Sequence, residues 1–533
     1  MDRAFLTDLR RIVGDSNVLD DALELLTYEC DALPHLRETP AAVALPSSAP
    51  QVQEIVRLCA RASVPFVARG HGTGLSGGAL PVAGGLVIAL ARLNRVVDVD
   101  IPNQRVTVEP GVTNLDITKH VAPFGYYYAP DPSSQQVCSI GGNVAENSGG
   151  AHCLKYGFTV HHVLGVEAVL PNGELVQIGG SLADTPGPDL LGLIVGSEGT
   201  LAIVTSVTVK ILRRPETVQT LLAAFDTIDA GGAVVSDIIG AGIIPAAVEM
   251  MDSLAIRAAE AAVHPNFPDA DTVLIVELDG PAAEVRALFD TVEQTCRRHG
   301  ATTIEVAQTD EQRMRIWRGR KAAFAAMGRV SPNYYVQDGV VPRTKLPEVL
   351  NRIRALEARS GLRIGNVFHA GDGNLHPLIC YDERIPGQSD AAVEVAAEIL
   401  SYCIEAGGSL TGEHGIGADA VLAGDRAASL DTVLEDLGGD LLGVFGLSRN
   451  RLVVADQRVQ VAVAGVEDVA DPQTRSRLEL PDPIQHFGEP GPRHDAVLHV
   501  VVRRHASHGG ERRLAAFPDA RSLVGVLRDM NFG

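Results

Sequence analysis

Three glycine-dense segments, each set between apolar and β-branched runs, constrain this 533-residue chain more than anything else in it. They run from Gly70 to Gly85, from Ser139 to Gly150 and from Gly196 to Thr200, among strand-like runs such as VPFVAR, LVIAL, VLGVEAVL and LAIVTSVTVKIL. Segments of this kind neither continue a helix nor fill a sheet interior, so they are loops where the backbone turns sharply or meets a ligand. The first contains Gly72-Thr73-Gly74-Leu75-Ser76-Gly77, which satisfies G-x-G-x-x-G, and Asp98 stands near where a ribose-binding acid would be. That fingerprint has to open a helix whose N-terminus carries a pyrophosphate. Pro81, Gly84 and Gly85 occupy the would-be helix and a strand follows at once, so a Rossmann nicotinamide fold is not expected. The remaining readings are an anion nest of backbone N–H groups or an ordinary turn cluster. Three clusters in one half of a chain are hard to explain as turns alone.

The pattern around these loops is α+β. Leu6, Leu9, Ile12 and Val13 give a helical period within a lead-in of about 35 residues. AVALP (42–46) reads as a strand, and Ser48 as the cap of the helix through QVQEIVRLCARA. After Arg213-Arg214-Pro215 the texture changes to strand TLLAAF, helix IDAGGAVVSDII, strands AAVEMMD and TVLIVELDG, and a long helix from Pro281 to about His299. The chain therefore divides into residues 1–215, 216–417 and 418–533. The last segment has no Lys, Tyr, Trp or Cys and no sustained period, and no compact fold follows from it.

Composition excludes several functions. With 45 Lys+Arg against 66 Asp+Glu the net charge is −21, which argues against nucleic acid as partner. No apolar run approaches the ~20 residues of a membrane span, and MDRAFLTDLRR has no apolar signal region. Seven cysteines without a C-x-x-C fit reduced thiols and argue against an iron–sulfur or Cys-rich zinc site, so the expected location is cytoplasmic.

The second half carries its chemistry in RIGNVFHAGDGNLHPLICY (363–381). Asp372-Gly373 is a strong type I′ hairpin signal, and a two-residue turn there pairs Gly371 with Asn374, Ala370 with Leu375 and His369 with His376. Opposed cross-strand imidazoles can share one divalent metal; a structural histidine pair is the alternative. Gly412-Glu413-His414-Gly415 follows the strand-like SLT. Facing the hairpin, Glu413 would complete a set of two histidines and a carboxylate with open positions, as in catalytic zinc sites. His414, pointing elsewhere, would be free to act as a base.

Several long motifs, VARGHGTGLSGGALP, YYAPDPSS, CSIGGNVAENSGGAHCLKYGFTVHHV and GSEGTLAIVTSVTVK, resemble the FAD-binding domain of vanillyl-alcohol-oxidase/PCMH-type flavoproteins. IPAAVEMMD, RGRKAAF, NVFHAGDGNLHPLICYD and GGSLTGEHGIG extend the resemblance to the FAD-linked subunits of bacterial glycolate oxidases, over residues 20–417. It implies a PCMH-type FAD-binding domain followed by an α+β cap domain that holds the substrate. It also implies FAD, with Gly72 to Gly77 (Thr73, Gly74, Leu75 and Ser76 included) around the pyrophosphate. Gly141, Gly142, Asn147 and Gly150 would line the flavin and phosphate path, and Gly199 to Ile203 the adenosine end. Arg69, Gly70, Pro130, Asp131 and Ser139 belong to the same cofactor set. Relatives with covalent FAD carry a histidine where Thr73 stands, so non-covalent FAD is expected and His71 is read as a solvated loop residue.

By the same resemblance His369, His376 and Glu413 are ligands of a divalent metal (Zn or Mn) and His414 is the general base. Arg320 binds the substrate carboxylate, with Arg343 as a second candidate. The implied reaction is oxidation of glycolate, or D-lactate, by hydride transfer to flavin N5. Electrons would pass to a second flavin subunit and an iron–sulfur subunit, and on to membrane quinone, with peripheral membrane association only through these partners. The alternatives are a stand-alone D-lactate or D-2-hydroxyglutarate dehydrogenase, and a non-catalytic FAD-binding subunit or inactive remnant owing to the altered C-terminus. The family's ending, F-D-P-x-x-x-x-N-P-G-K, is not found after Gly417. Residues 418–533 are therefore expected to come from a reading-frame shift, with a divergent tail as the alternative.

Overall fold

A computed structural model of the chain describes residues 1–33, 36–180 and 187–417. The expectations for residues 418–533 lie outside the described residues. In the first half, Ala42–Ala44, Leu86–Ala89 and Phe66–Arg69 form a parallel ladder edged by the antiparallel Val18–Leu19. Parallel pairing needs crossovers, and the helix Ala49–Ala62 provides one by burying Val52, Ile55, Val56 and Cys59. Ser48 sits at its N-cap without a side-chain cap hydrogen bond. The lead-in is less helical than its period suggested: the helix Arg3–Val13 stops at Gly14, where φ is 90°. A second, antiparallel sheet orders Val96–Asp100, Arg105–Val108, Ile203–Lys210, Val163–Val169 and Leu175–Gly179. The glycine segments connect these strands, but the second is not all loop as expected: Ser139 caps a helix, Ile140–Glu146, within it.

The second half is built on one antiparallel sheet whose centre runs Thr217–Phe225, Thr272–Gly280, Ala247–Asp252 and Ile364–His369. One face places Leu221, Val248, Met250, Leu274, Val276 and Phe368 in the largest core cluster. On the opposite face Leu222, Ala224, Met251, Val273, Ile275 and Val367 pack with Ile256, Ala259, Ile316 and Ala323 of the helices Ser253–Val263 and Asp310–Ala326. Strand register puts Thr220, Glu249, Glu277 and His369 on that second face as well, because Glu249 lies opposite His369 and Glu277 opposite Thr220. The face is thus apolar beneath the helices and acidic at the end that meets the first half.

Those acids hold the two halves together. His152, from the first half, sets Nδ1 3.0 Å from Asp131 and Nε2 3.2 Å from Glu277. Glu277 also accepts from Trp317 Nε1 at 2.6 Å and Thr220 Oγ1 at 2.5 Å. Beside it Asp279 binds Lys155 and accepts from the Tyr156 hydroxyl at 2.6 Å. Burial alone would push the His152 imidazole down, but Asp131 and Glu277 outweigh it and hold its pKa well above the usual value. All seven cysteines are unpaired thiols. Among the described residues no helix is long and apolar enough to cross a membrane.

A histidine whose folded-state pKa is raised stabilises the fold fully below its unfolded value of about 6.5 and loses that contribution as pH rises through the folded one. In thermal melts from pH 6 to 10, the midpoint of the native chain should fall with pH more steeply than that of His152→Gln. Parallel curves would show that the clamp does not carry this linkage.

Candidate active site

The glycine segments converge. A Cβ at Gly70 would overlap Ser139 Oγ, and Ser139 caps the short helix Ile140–Glu146 by accepting from Gly142 N–H at 3.4 Å. The third segment docks on the end of that helix through Gly196 N–H to the Val144 carbonyl and Glu198 N–H to the Ala145 carbonyl, each 2.8 Å. Glu198 in turn accepts from Ile416 N–H at 2.7 Å and Gly417 N–H at 3.2 Å, and a Cβ at Gly417 would overlap Ser76. Four stretches that are far apart in sequence therefore meet at one place. Among the described residues no backbone carbonyl accepts from the N–H groups of residues 70–76, and the buried Ser76 hydroxyl has no partner. Unanswered amides and an orphaned hydroxyl in an enclosed loop suit a pyrophosphate, so the residues present fit FAD.

The individual expectations fare unevenly. Gly72 needs its positive φ of 68°, and Gly74 accepts from Ala32 N–H at 3.0 Å. Thr73 and Leu75 stay half-buried on the loop, and Gly77 is buried. Arg69 binds the Cys30 carbonyl at 2.8 Å, lies over the Tyr28 ring and packs its guanidinium against Gly72, where a Cβ would overlap Nη2. Asp131 spends its carboxylate on His152 and packs against Gly150, while the Pro130 carbonyl accepts from Asn114 at 3.1 Å. Gly141 presses on Pro110, and Asn147 accepts from Val160 N–H at 2.9 Å. Gly199, with φ of 72°, has open space around it, and the Ile203 side chain belongs to a core cluster with Leu90 and Val169. His71 is not simply solvated: Nδ1 is 2.5 Å from the Val137 carbonyl, which ties the loop to the stretch just before the second glycine segment.

The hairpin has a different register from the expected one. His369 pairs with Asn374 and Asn366 with Pro377, so residues 370–373 form a four-residue turn in place of a two-residue one. The turn is pinned from outside, by Gly371 N–H to the Val248 carbonyl and Val341 N–H to the Gly373 carbonyl, each 3.0 Å. The shift is by two residues, and strand side chains alternate with period two, so both histidines keep the same face. They become diagonal neighbours, with ring centroids 5.0 Å apart.

Their nitrogens are arranged in parallel. His369 Nε2 and His376 Nε2 lie 3.1 and 3.2 Å from the same Glu413 Oε1, while their Nδ1 atoms face Glu249 (2.7 Å) and Asp338 (3.4 Å). Ligand atoms around an ion with bonds of about 2.1 Å are separated by roughly 3.0–3.4 Å. A carboxylate behind each ligating imidazole is the usual outer shell of such a site. His376 Nδ1 and Nε2, Asp338 Oδ1 and Glu413 Oε2 are buried with no hydrogen-bond partner among the described residues. This donor set fits a divalent metal. Burial would raise the Glu413 carboxyl, but the two histidines hold it well below its usual range. Burial lowers His376, while Glu249 and Glu413 outweigh burial at His369 and raise it.

His414 stacks on His376 at 4.8 Å, and its side chain, 16% exposed, is the most open of the three histidines. Arg320 is buried against Glu249, with Nε and Nη2 at 2.7 and 2.6 Å from Oε2. Arg343 is half-buried, its Nε without a partner among the described residues. Sequence reading missed Glu249, Glu277 and Asp338. The available signal was an acid inside an otherwise apolar run, as in AAVEMMD and TVLIVELDG, since a buried carboxylate requires partners. Asp338 Oδ2 accepts from Thr411 Oγ1 and from Gly412, Glu413 and His414 N–H, at 2.7 to 2.8 Å, and so folds the loop that presents Glu413.

The described fold is of the PCMH type: p-cresol methylhydroxylase with substrate bound superposes with a TM-score of 0.66, at 17% identity over 80% of this chain and 91% of that one. The chain belongs to the FAD-linked oxidases, with the FAD binding domain matched at residues 40–179 and the C-terminal domain of FAD linked oxidases at 214–429. The second match runs past Gly417, where the resemblance was expected to end. Glycolate oxidase subunit GlcD of Escherichia coli K12 is 49% identical over 417 residues, 78% of this chain and 84% of that protein. D-lactate dehydrogenase of Anaerostipes hadrus is 33% identical over 383 residues, 70% of this chain and 80% of that one.

Replacing Asp338 by Ala should leave three amides and a hydroxyl unanswered and cost on the order of 3 kcal/mol. Amide hydrogen exchange at residues 412–414 should then accelerate far more than in the central sheet. Unchanged exchange there would contradict this role of Asp338.

Proposed function

We propose that this chain oxidises a small 2-hydroxy acid, glycolate or D-lactate, to the 2-oxo acid with non-covalent FAD. The observation that carries this reading is the convergence of His369, His376 and Glu413 on one point, with His414 beside them and loop 412–417 reaching the glycine cradle. In this reading residues 1–215 hold the cofactor and residues 216–417 present the substrate. FAD, when bound, supplies the hydride acceptor. A zinc or manganese ion, held by His369, His376 and Glu413, would lower the pKa of the substrate hydroxyl.

The chain's own residues do the rest. His414 Nε2, the nitrogen 3.8 Å from Glu413, takes the hydroxyl proton as the Cα hydride leaves. Arg320 offers its guanidinium to the substrate carboxylate, and Glu249 fixes its orientation. Glu413 and the Nδ1 contacts of both histidines keep the donor set aimed at one point. Electrons then pass to a further flavin subunit and an iron–sulfur subunit. What supports partner subunits is that the relative at 49% identity is named as a subunit of glycolate oxidase. A place at the inner face of the cell membrane would follow from them.

Anaerobic glycolate should bleach the visible flavin band of the FAD-loaded chain. His414→Ala should slow that reduction by about 10²–10⁴-fold with FAD content unchanged. A stably FAD-loaded chain that no 2-hydroxy acid reduces would overturn the proposal in favour of a non-catalytic FAD-binding subunit.

A further inference from the structure

Glu249 hydrogen-bonds both chemical arms of the candidate site. It lies in the strand Ala247–Asp252, directly opposite His369 in the neighbouring strand, and its side chain is fully buried. Its two oxygens are divided between partners. Oε1 accepts from His369 Nδ1 at 2.7 Å; Oε2 accepts from Arg320 Nε at 2.7 Å and Nη2 at 2.6 Å. Arg320 reaches it from the helix Asp310–Ala326, and its side chain is 3% exposed.

The geometry fixes what each partner has left to give. With its Nδ1 proton committed to Glu249, His369 must turn Nε2 toward Glu413 Oε1, 3.1 Å away. With the Nε–Nη2 edge of the guanidinium committed to a single carboxylate oxygen, Arg320 keeps its other edge, Nη1 and the second Nη2 hydrogen, for a second carboxylate. The Phe324 ring, 5.9 Å from the Arg320 guanidinium and 5.7 Å from His376, backs the same arrangement.

We propose that Glu249 is a positioning residue that sets His369 for a divalent metal and Arg320 for the substrate carboxylate at once, so that neither arm can be disturbed without the other when Glu249 changes. The inference rests on the proposed oxidation of a 2-hydroxy acid for the identity of the second carboxylate. Its balance is simple, because Glu249 forms and breaks no bond and exchanges no proton with substrate.

The test uses the FAD-loaded full chain and two binding readouts that need no turnover. One is the affinity for Zn²⁺ or Mn²⁺ by competition with a chelator. The other is the affinity for oxalate, a carboxylate the flavin cannot oxidise by hydride loss from carbon, read from the shift of the flavin spectrum. Glu249→Gln should weaken the metal by about 10–100-fold and oxalate by about tenfold, with FAD content unchanged. Arg320→Lys, which keeps the buried charge pair, should weaken oxalate alone. If Glu249→Gln does not fold, Glu249→Asp carries the same expectation, because a side chain one methylene shorter cannot span both partners. Loss of only one affinity in the Glu249 variant, loss of neither, or a native chain that binds neither metal would overturn the proposal. Joint loss of both affinities in a chain that glycolate never reduces would uphold Glu249's role while refuting the oxidation.

Discussion

A carboxylate taken out of water must be answered by a cation or by several donors, and this constraint organises the whole second half of the chain. Glu249, Glu277, Asp338 and Glu413 are all buried or nearly so, and each is answered from elements other than its own. Glu277 is met by a histidine from the first half and a tryptophan from a helix. Glu249 is met by a histidine across the sheet and an arginine from the same helix, three residues beyond that tryptophan. Asp338 is met by three successive amides of a loop. Satisfying these acids fixes how the halves dock, which way the histidines point and how Glu413 is presented.

The glycine cradle obeys the opposite rule. There the amides of residues 70–76 and the Ser76 hydroxyl are left unanswered among the described residues. The acidic network and the empty-handed cradle meet where Gly149 packs against Glu413 and where Gly417 lies on Ser76. The cluster of His369, His376 and Glu413 and the glycine cradle are thus neighbours, assembled from residues that no single sequence window contains.

Much of this was legible before the structure. Glycine segments, strand runs and the long helix at Ala282–Arg298 follow from local chemistry, and so does the grouping of His369 with His376. The hairpin register was misread because Asp372-Gly373 favours a tight turn locally, while neighbouring strands capture Gly371 and Gly373 and widen it. An even shift preserved the face, so the chemical grouping survived the wrong pairing. The side chains of Arg69 and Asp131 are committed to Cys30, Tyr28 and His152, because a motif gives a residue's position in the chain while competing buried partners decide where its side chain goes. Ile203 was claimed by the core. Glu249 and Asp338 went unread because their hydrogen-bond partners lie 71 and 73 or more residues away, beyond the reach of any spacing rule.

The decisive measurement is an anomalous-difference map of the FAD-loaded chain grown with manganese or zinc. The arrangement of donors calls for one peak at about 2.0–2.3 Å from His369 Nε2, His376 Nε2 and Glu413 Oε1, with the flavin ring on the open side next to His414. A peak on other atoms, no peak at saturating metal, or a flavin ring lying away from this cluster would contradict the site described here.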